Sequence, residues 1–489
     1  MRSQLASAVV LGLLIAGCGG DGENFVGGGF NGGGGGDAPV KPSISLGSTT
    51  LFRPTRQLFP NLGVTGPLLG DSVVTIVLTG DGTLKKPLDG PKNTSTLSAD
   101  GKTLTVNFTN ATAEEITSYL KANLTPDTIT GPRKEAKVKV TLANAGASAE
   151  GSADLLTANK GALVLKVEPG AAGVVTNVDT GADTTKRGLQ QALDLVAAVS
   201  SGSEGAGSVI GLATGEFPIA DSAFSTGLGI RVHPDADLAF LTIAGPNVGN
   251  PGDPNVPTGS SARVAGAVLR GATGNGGGFS QAMLSVQASD VLLRGLDLVV
   301  PGSNSLRAGV VAPAGSGARL TVANSLFTTD SADGSVGCDF EESGADFVRN
   351  RVQGLSFGVL FTSTAGPNKA RLNAFVDPKF TGVYLLGSNT RATLDSNVYR
   401  LADASTMNSI AFVSTLASNA VTVTNSDFYP RAVFNTLVTQ TDGGVVVQSG
   451  NFSADANKNP VLNGTFSANF FSPTSLFDKA TANFPGFTP

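Results

Sequence analysis

The chain has 489 residues, of which 15% are charged and 64 are glycine, and its formal net charge is −5. A mildly acidic chain with no basic run has little to offer a phosphate backbone, which excludes nucleic acid as a partner class. Aromatic usage is lopsided, with 26 Phe against 4 Tyr and no Trp, so ring mass is expected in a core rather than on a sugar-stacking surface.

The first residues form a secretory pattern. Arg2 supplies a positive start, and Ala6 to Ala16 is an apolar run too short to span a bilayer. It ends in Leu14-Ile15-Ala16-Gly17-Cys18, which resembles the bacterial lipobox. That resemblance implies a signal peptide over residues 1–17 and a diacylglycerol thioether on Cys18. Acyl chains at about 0.8 kcal/mol per buried CH₂ then anchor the protein to a membrane. Gly19 in place of Asp implies no inner-membrane retention, so the expected location is the cell envelope, at the outer membrane or cell surface. Residues 18–39 are rich in glycine, including Gly32 to Gly36, and their composition predicts a tether.

Residues 40–170 read as short alternating strands. Val73 to Leu78 and Thr103 to Phe108 are two, with an Asp100-Gly101 turn before the second; Lys137 to Leu142 is a third, half-exposed one. A helix is expected near Glu114 to Ala122. Together these suggest a β-sandwich spacer of immunoglobulin-like type.

The pattern changes at about residue 184. Thr185 to Val199 places Leu189, Ala192, Leu193, Val196 and Val199 on one helical face. A strand and turn follow at Ser208 to Phe217. An internal repeat then runs to the end of the domain. Asparagines recur after short apolar strands at Asn324, Asn350, Asn373, Asn397, Asn425 and Asn451, each followed closely by Phe327, Val352, Phe375, Tyr399, Phe428 or Phe452. Between them lie Gly309-Val310, Gly337-Cys338, Gly358-Val359, Gly382-Val383 and Ser409-Ile410. Two strands per coil with an asparagine turn resemble the right-handed parallel β-helix, and the helix-then-strand opening resembles the cap of pectate-lyase-like members. The resemblance implies a mainly β fold with this solenoid over residues 184–475, a C-terminal tail over 476–489, an asparagine ladder and an internal phenylalanine stack. It leaves function open, because one fold hosts many chemistries.

Few residues carry chemistry. His233 is the sole histidine and lies in a turn-like stretch near Asp235 and Asp237. Cys338 has no partner once Cys18 is lipidated, and a buried thiol is expected. Polygalacturonases use paired aspartates and an Arg-Ile-Lys stretch, and pectate lyases a Trp-Ile-Asp-His stretch; neither set is present. The remaining cluster is Cys338-Asp339-Phe340-Glu341-Glu342. With Cys338 and Phe340 inward, Asp339 and Glu341 point outward roughly 7 Å apart, a separation that suits a carboxylate pair. The same strand makes Asp339, Glu341 and Glu342 the candidate ligands for calcium, the one cofactor left open. Leu360 and Tyr384 align with Asp339, and Thr362 with Glu341. The plainer alternative is a solvated acidic strand balanced by Arg349 and Arg351. Two functions follow: a lipid-anchored surface protein whose β-helix serves structure or binding, with polysaccharide or another surface component as partner, or a polysaccharide lyase or glycoside hydrolase.

Overall fold

The computed structural model describes residues 41–46, 50–52, 62–80, 82–124, 126–128, 135–199, 204–219, 228–246, 265–271, 281–301, 307–315, 318–330, 335–362, 366–401, 410–414, 418–429, 436–440, 445–449, 452–453 and 461–463. The expected signal peptide, Cys18, the glycine-rich segment, Asn451 and the expected tail over 476–489 lie outside the described residues. Two compact units form, residues 1–160 and 161–489.

In the first unit, six strands make one sheet in the order Thr50–Phe52, Ala147–Thr157, Glu135–Asn144, Ser72–Gly80, Thr103–Phe108, Asn93–Leu97. Strict alternation sends Val74, Ile76, Leu78, Leu104, Val106, Val138, Val140 and Leu142 to one face, where they are buried. Helix Ala113–Asn123 packs there through Ile116 and Leu120, with Ile44, Val64 and Leu84 from two short ladders. A capping box starts the helix: Thr112 accepts from the Glu115 amide, and Glu115 accepts from the Thr112 amide. The second layer is therefore a helix and two short ladders. Among the described residues, no extended second sheet of the immunoglobulin-like kind covers this face.

The second unit begins earlier than the change of pattern suggests. Val164–Val167 pairs in parallel with Val209–Leu212 and so belongs to a solenoid sheet, which moves the boundary from about 170 to 160. Helix Gly188–Ala197 is shorter than the periodicity of 185–199, because Asp183–Arg187 pairs as a strand with Val174–Asn177. Its Leu189, Ala192, Leu193 and Val196 pack with Ile210, Leu212 and Phe217 of the first coil. Gln190 fastens it by accepting from the Arg231 amide and donating to the Arg231 carbonyl, at 2.8 and 3.1 Å. The helix thus closes an end that would otherwise expose apolar side chains to water.

Each coil carries three strands rather than two. Sheet I holds Val209–Leu212 and its successors through Val445–Ser449, sheet II runs from Gly215–Ile219 to Phe452–Ser453, and sheet III from Leu228–Val232 to Val461–Asn463. Sheets II and III each have nine strands, so nine coils stack in parallel among the described residues. The fold is a parallel β-helix.

The corner between sheets I and II shows why asparagine recurs. The residue at the sharp turn has positive φ: Asn324 at 50°, Arg349 at 56°, Leu372 at 58°, Ser396 at 53° and Asn425 at 50°. The next residue points inward and is buried: Ser325, Asn350, Asn373, Asn397 and Ser426. Asn373 donates its backbone and side-chain N–H to Asn397 Oδ1, both at 3.0 Å, and Asn350 does the same to Asn373 Oδ1 at 2.8 and 3.3 Å. Ser325 N donates to Asn350 Oδ1, and Asn397 N donates to Ser426 Oγ. Asn324 and Asn425 therefore stand one residue before the ladder, a correction to the expected column. They hold the left-handed position that asparagine tolerates, and serine fills the ladder site behind them.

Inside, Phe375, Tyr399 and Phe428 stack with centroids 5.1 Å apart and planes within 10°. Phe327, Phe347, Phe340 and Phe361 extend the ring cluster. Phe452 is not the next member, since Ser453 is the residue in register with Phe428. Likewise Phe412, not Ile410, is in register with Val383.

Candidate functional site

The cluster around Asp339 lies on sheet III, where strand Ser335–Phe340 is buried along its whole length. Cys338 and Phe340 join the interior. Val336 belongs to a separate apolar cluster with Ala282, Ala308, Val311 and Leu360, packed against by Phe357 and Tyr384. Glycine makes this arrangement compatible with close stacking. A Cβ on Gly358 would stand 2.3 Å from the Gly382 carbonyl oxygen and 2.7 Å from Phe375 Cδ1, so consecutive coils approach there only because a side chain is missing.

Asp339 lies in register between Val311 and Leu360, and Leu360 with Tyr384. Its exposure is 4%, so it is not part of a solvated acidic strand. Thr362 Oγ1 donates to Asp339 Oδ1 at 2.9 Å. Burial raises the carboxyl from 3.8 to about 7; the Thr362 bond opposes the rise and the Glu341 charge adds to it. Behind it, burial pushes the Cys338 thiol well above its ordinary value, with the Asp339 charge contributing in the same direction. That thiol is an interior packing group and not a nucleophile at neutral pH.

The neighbouring acids do different work. Glu341 Oε2 accepts from the Ala314 amide at 3.1 Å, and Glu342 Oε1 accepts from the Gly315 amide at 3.3 Å. Both close the turn of the preceding coil. Among the described residues, no three acidic, histidine or cysteine side chains come together as a metal-holding group, so Asp339, Glu341 and Glu342 do not form a three-ligand calcium set. Arg351 lies on sheet II, where it donates to Gln353 at 2.9 Å, and Arg349 occupies a positive-φ corner.

His233 is half-buried, and its carbonyl accepts from the Asp235 amide. The Asp235 carboxylate accepts from the Asp237 amide, and Asp237 Oδ1 accepts from the Gly205 amide, both at 2.8 Å. The two acids near the histidine thus hold a turn.

No protein-family model, curated protein or solved structure matches the chain. The residues themselves therefore carry the reading of the site. Among the described residues no helix is long and apolar enough to cross a membrane.

One surface feature escaped the sequence reading. Phe357 packs on Phe380 at 5.1 Å and on Tyr384 at 5.9 Å. Phe380 remains 49% exposed and Leu386 40%. They flank strand Thr381–Leu385 of the sixth coil, two coils on from the one that carries Asp339. In sequence, single phenylalanines outside the asparagine repeat look like further interior rings.

Proposed function

We propose that the chain is a lipid-anchored protein of the bacterial cell envelope, at the outer membrane or cell surface, which presents a pectate-lyase-like β-helix for structural or binding purposes. The observation that carries this reading is the stack of nine coils among the described residues. Ladder bonds and ring contacts run from coil to coil, and such a stack resists bending and local opening because each rung is held by both neighbours. A stiff shaft behind a tether and a lipid on Cys18 suits display. The partner is a polysaccharide or another surface component, and the exposed strip of Phe380 and Leu386 is the surface we assign to it, since aromatic edges and faces supply contact area at low entropic cost.

One observation favours the enzyme alternative, a polysaccharide lyase or glycoside hydrolase. A carboxyl raised to about 7 beside a second carboxylate has the character of a general acid. Its burial argues against direct access to substrate. The anchor is tested by metabolic labelling with palmitate in wild type and Cys18→Ala. Label in the wild type alone, with membrane fractionation lost in the variant, supports the display reading; equal labelling of both removes it.

A further inference from the structure

We propose that Thr362 and Asp339 form a pH-sensitive latch between the fourth and fifth coils, closed while Asp339 is protonated and loosened when it ionises. This goes beyond display, because it makes the outer face of sheet III responsive to its surroundings.

The geometry offers two arrangements. The Thr362 hydroxyl stands between two acceptors, Asp339 Oδ1 at 2.9 Å and the Phe340 carbonyl oxygen at 3.3 Å, and one proton serves one acceptor at a time. With Asp339 protonated, its O–H donates to Thr362 Oγ1 while Thr362 donates to Phe340 O, and the carboxyl is a neutral part of an apolar strip. With Asp339 ionised, Thr362 turns its proton to the carboxylate, and the Phe340 oxygen keeps only the Thr362 amide, at 3.0 Å. A charge then lies between Val311 and Leu360, which are buried, and an ion in such surroundings favours any opening that brings it to water.

Among the described residues, little stands near to compensate that charge. The preceding strand, Arg307–Ala312, carries only Arg307, in register with Ser335 at the far end. The following strand, Phe357–Phe361, carries no ionisable group. Glu341 adds like charge, and Glu342 is engaged at Gly315. Across the interior, Leu326–Thr329 has no ionisable residue; Leu296–Val300 has Asp297, on the face alternate to Leu296 and Leu298. On its own strand Cys338 points inward as a neutral thiol.

The sign follows from linkage. The folded value, about 7, lies above the ordinary 3.8, so the closed seam has its full stability below the ordinary value. That stability declines as pH rises toward the folded value and is level beyond it.

The test is amide hydrogen exchange on the full chain across pH, normalised to intrinsic rates, with wild type, Asp339→Asn and Thr362→Val. In the wild type, protection of Ser335–Phe340 and Phe357–Phe361 should fall by about tenfold per pH unit until a plateau near the folded value, while Arg391–Asp395 stays unchanged. Asp339→Asn should abolish the fall. Thr362→Val, which removes the bond that holds the carboxyl down, should move the plateau to higher pH. An Asp339→Asn profile with the wild-type slope overturns the latch, as does a plateau unmoved in Thr362→Val or an equal fall at Arg391–Asp395.

Discussion

Asn397 Oδ1 accepts two hydrogen bonds from Asn373, one from its backbone and one from its side chain, each 3.0 Å long. Asn397 Nδ2 in turn donates to the Ala370 carbonyl at 2.8 Å. One buried amide thus satisfies groups at the corner and on the first strand of the coil before it. Replacing Asn397 by leucine takes this acceptor from the backbone N–H and from one side-chain N–H of buried Asn373, and each group so stranded costs about 1–3 kcal/mol. The expected result is a clear drop in the midpoint of chemical denaturation. Asn324→Gly, at a positive-φ corner outside the ladder, should change it by no more than about 1 kcal/mol.

The glycine column supplies a second expectation. A methyl group at Gly358 meets the Gly382 carbonyl and the Phe375 ring, so Gly358→Ala should lower stability by about 1–3 kcal/mol through overpacking. Phe375→Ala should lower it further, by about 3–5 kcal/mol, because it removes a ring stacked between coils. Thermal unfolding of the two variants, ranked against wild type, checks this order.

Much of the solenoid was legible because its chemistry is periodic. Asn350, Asn373 and Asn397 share one environment, and the spacing of their ladder bonds, 23 and 24 residues, is the length of a coil. Where two residues can exchange roles the reading slipped. Asn324-Ser325 and Asn425-Ser426 put asparagine on the turn and serine in the ladder, and both residue types suit both places. The third strand of each coil was marked by its glycine, at Gly309, Gly337, Gly358 and Gly382, but was not counted, because a strand buried on both faces, like Ser335–Phe340, carries little polar alternation. The same property concealed the burial of Asp339. Alternation sends it to the outer face, but exposure there depends on what covers that face.

Titration of the acidic strand gives a third expectation. The Glu341 charge contributes to the raised value of Asp339, so Glu341→Gln should lower the pH at which Asp339 ionises. Carboxyl carbon chemical shifts of Asp339, followed from about pH 4 to about pH 9 to bracket its folded value, read this directly. A midpoint that stays in place or rises would contradict the electrostatic account of this strand.

Calcium supplies a fourth. Glu341 and Glu342 are already engaged with the Ala314 and Gly315 amides, and drawing both onto a cation would open that turn. Millimolar calcium is therefore expected to leave the melting temperature of the wild type unchanged. A rise that disappears in Glu342→Gln would establish a cation site on this strand.

The proposal that the β-helix binds and displays without cutting has one direct measurement. Purified protein is incubated with a panel of acidic and neutral polysaccharides, and both retention on the immobilised polymers and polymer length are recorded. The expected result is retention on at least one polymer, weakened in Phe380→Ala, with no shortening of any chain. Shortening by the wild type, abolished in Asp339→Asn or Glu341→Gln while the melting temperature is preserved, would contradict it and establish the enzyme.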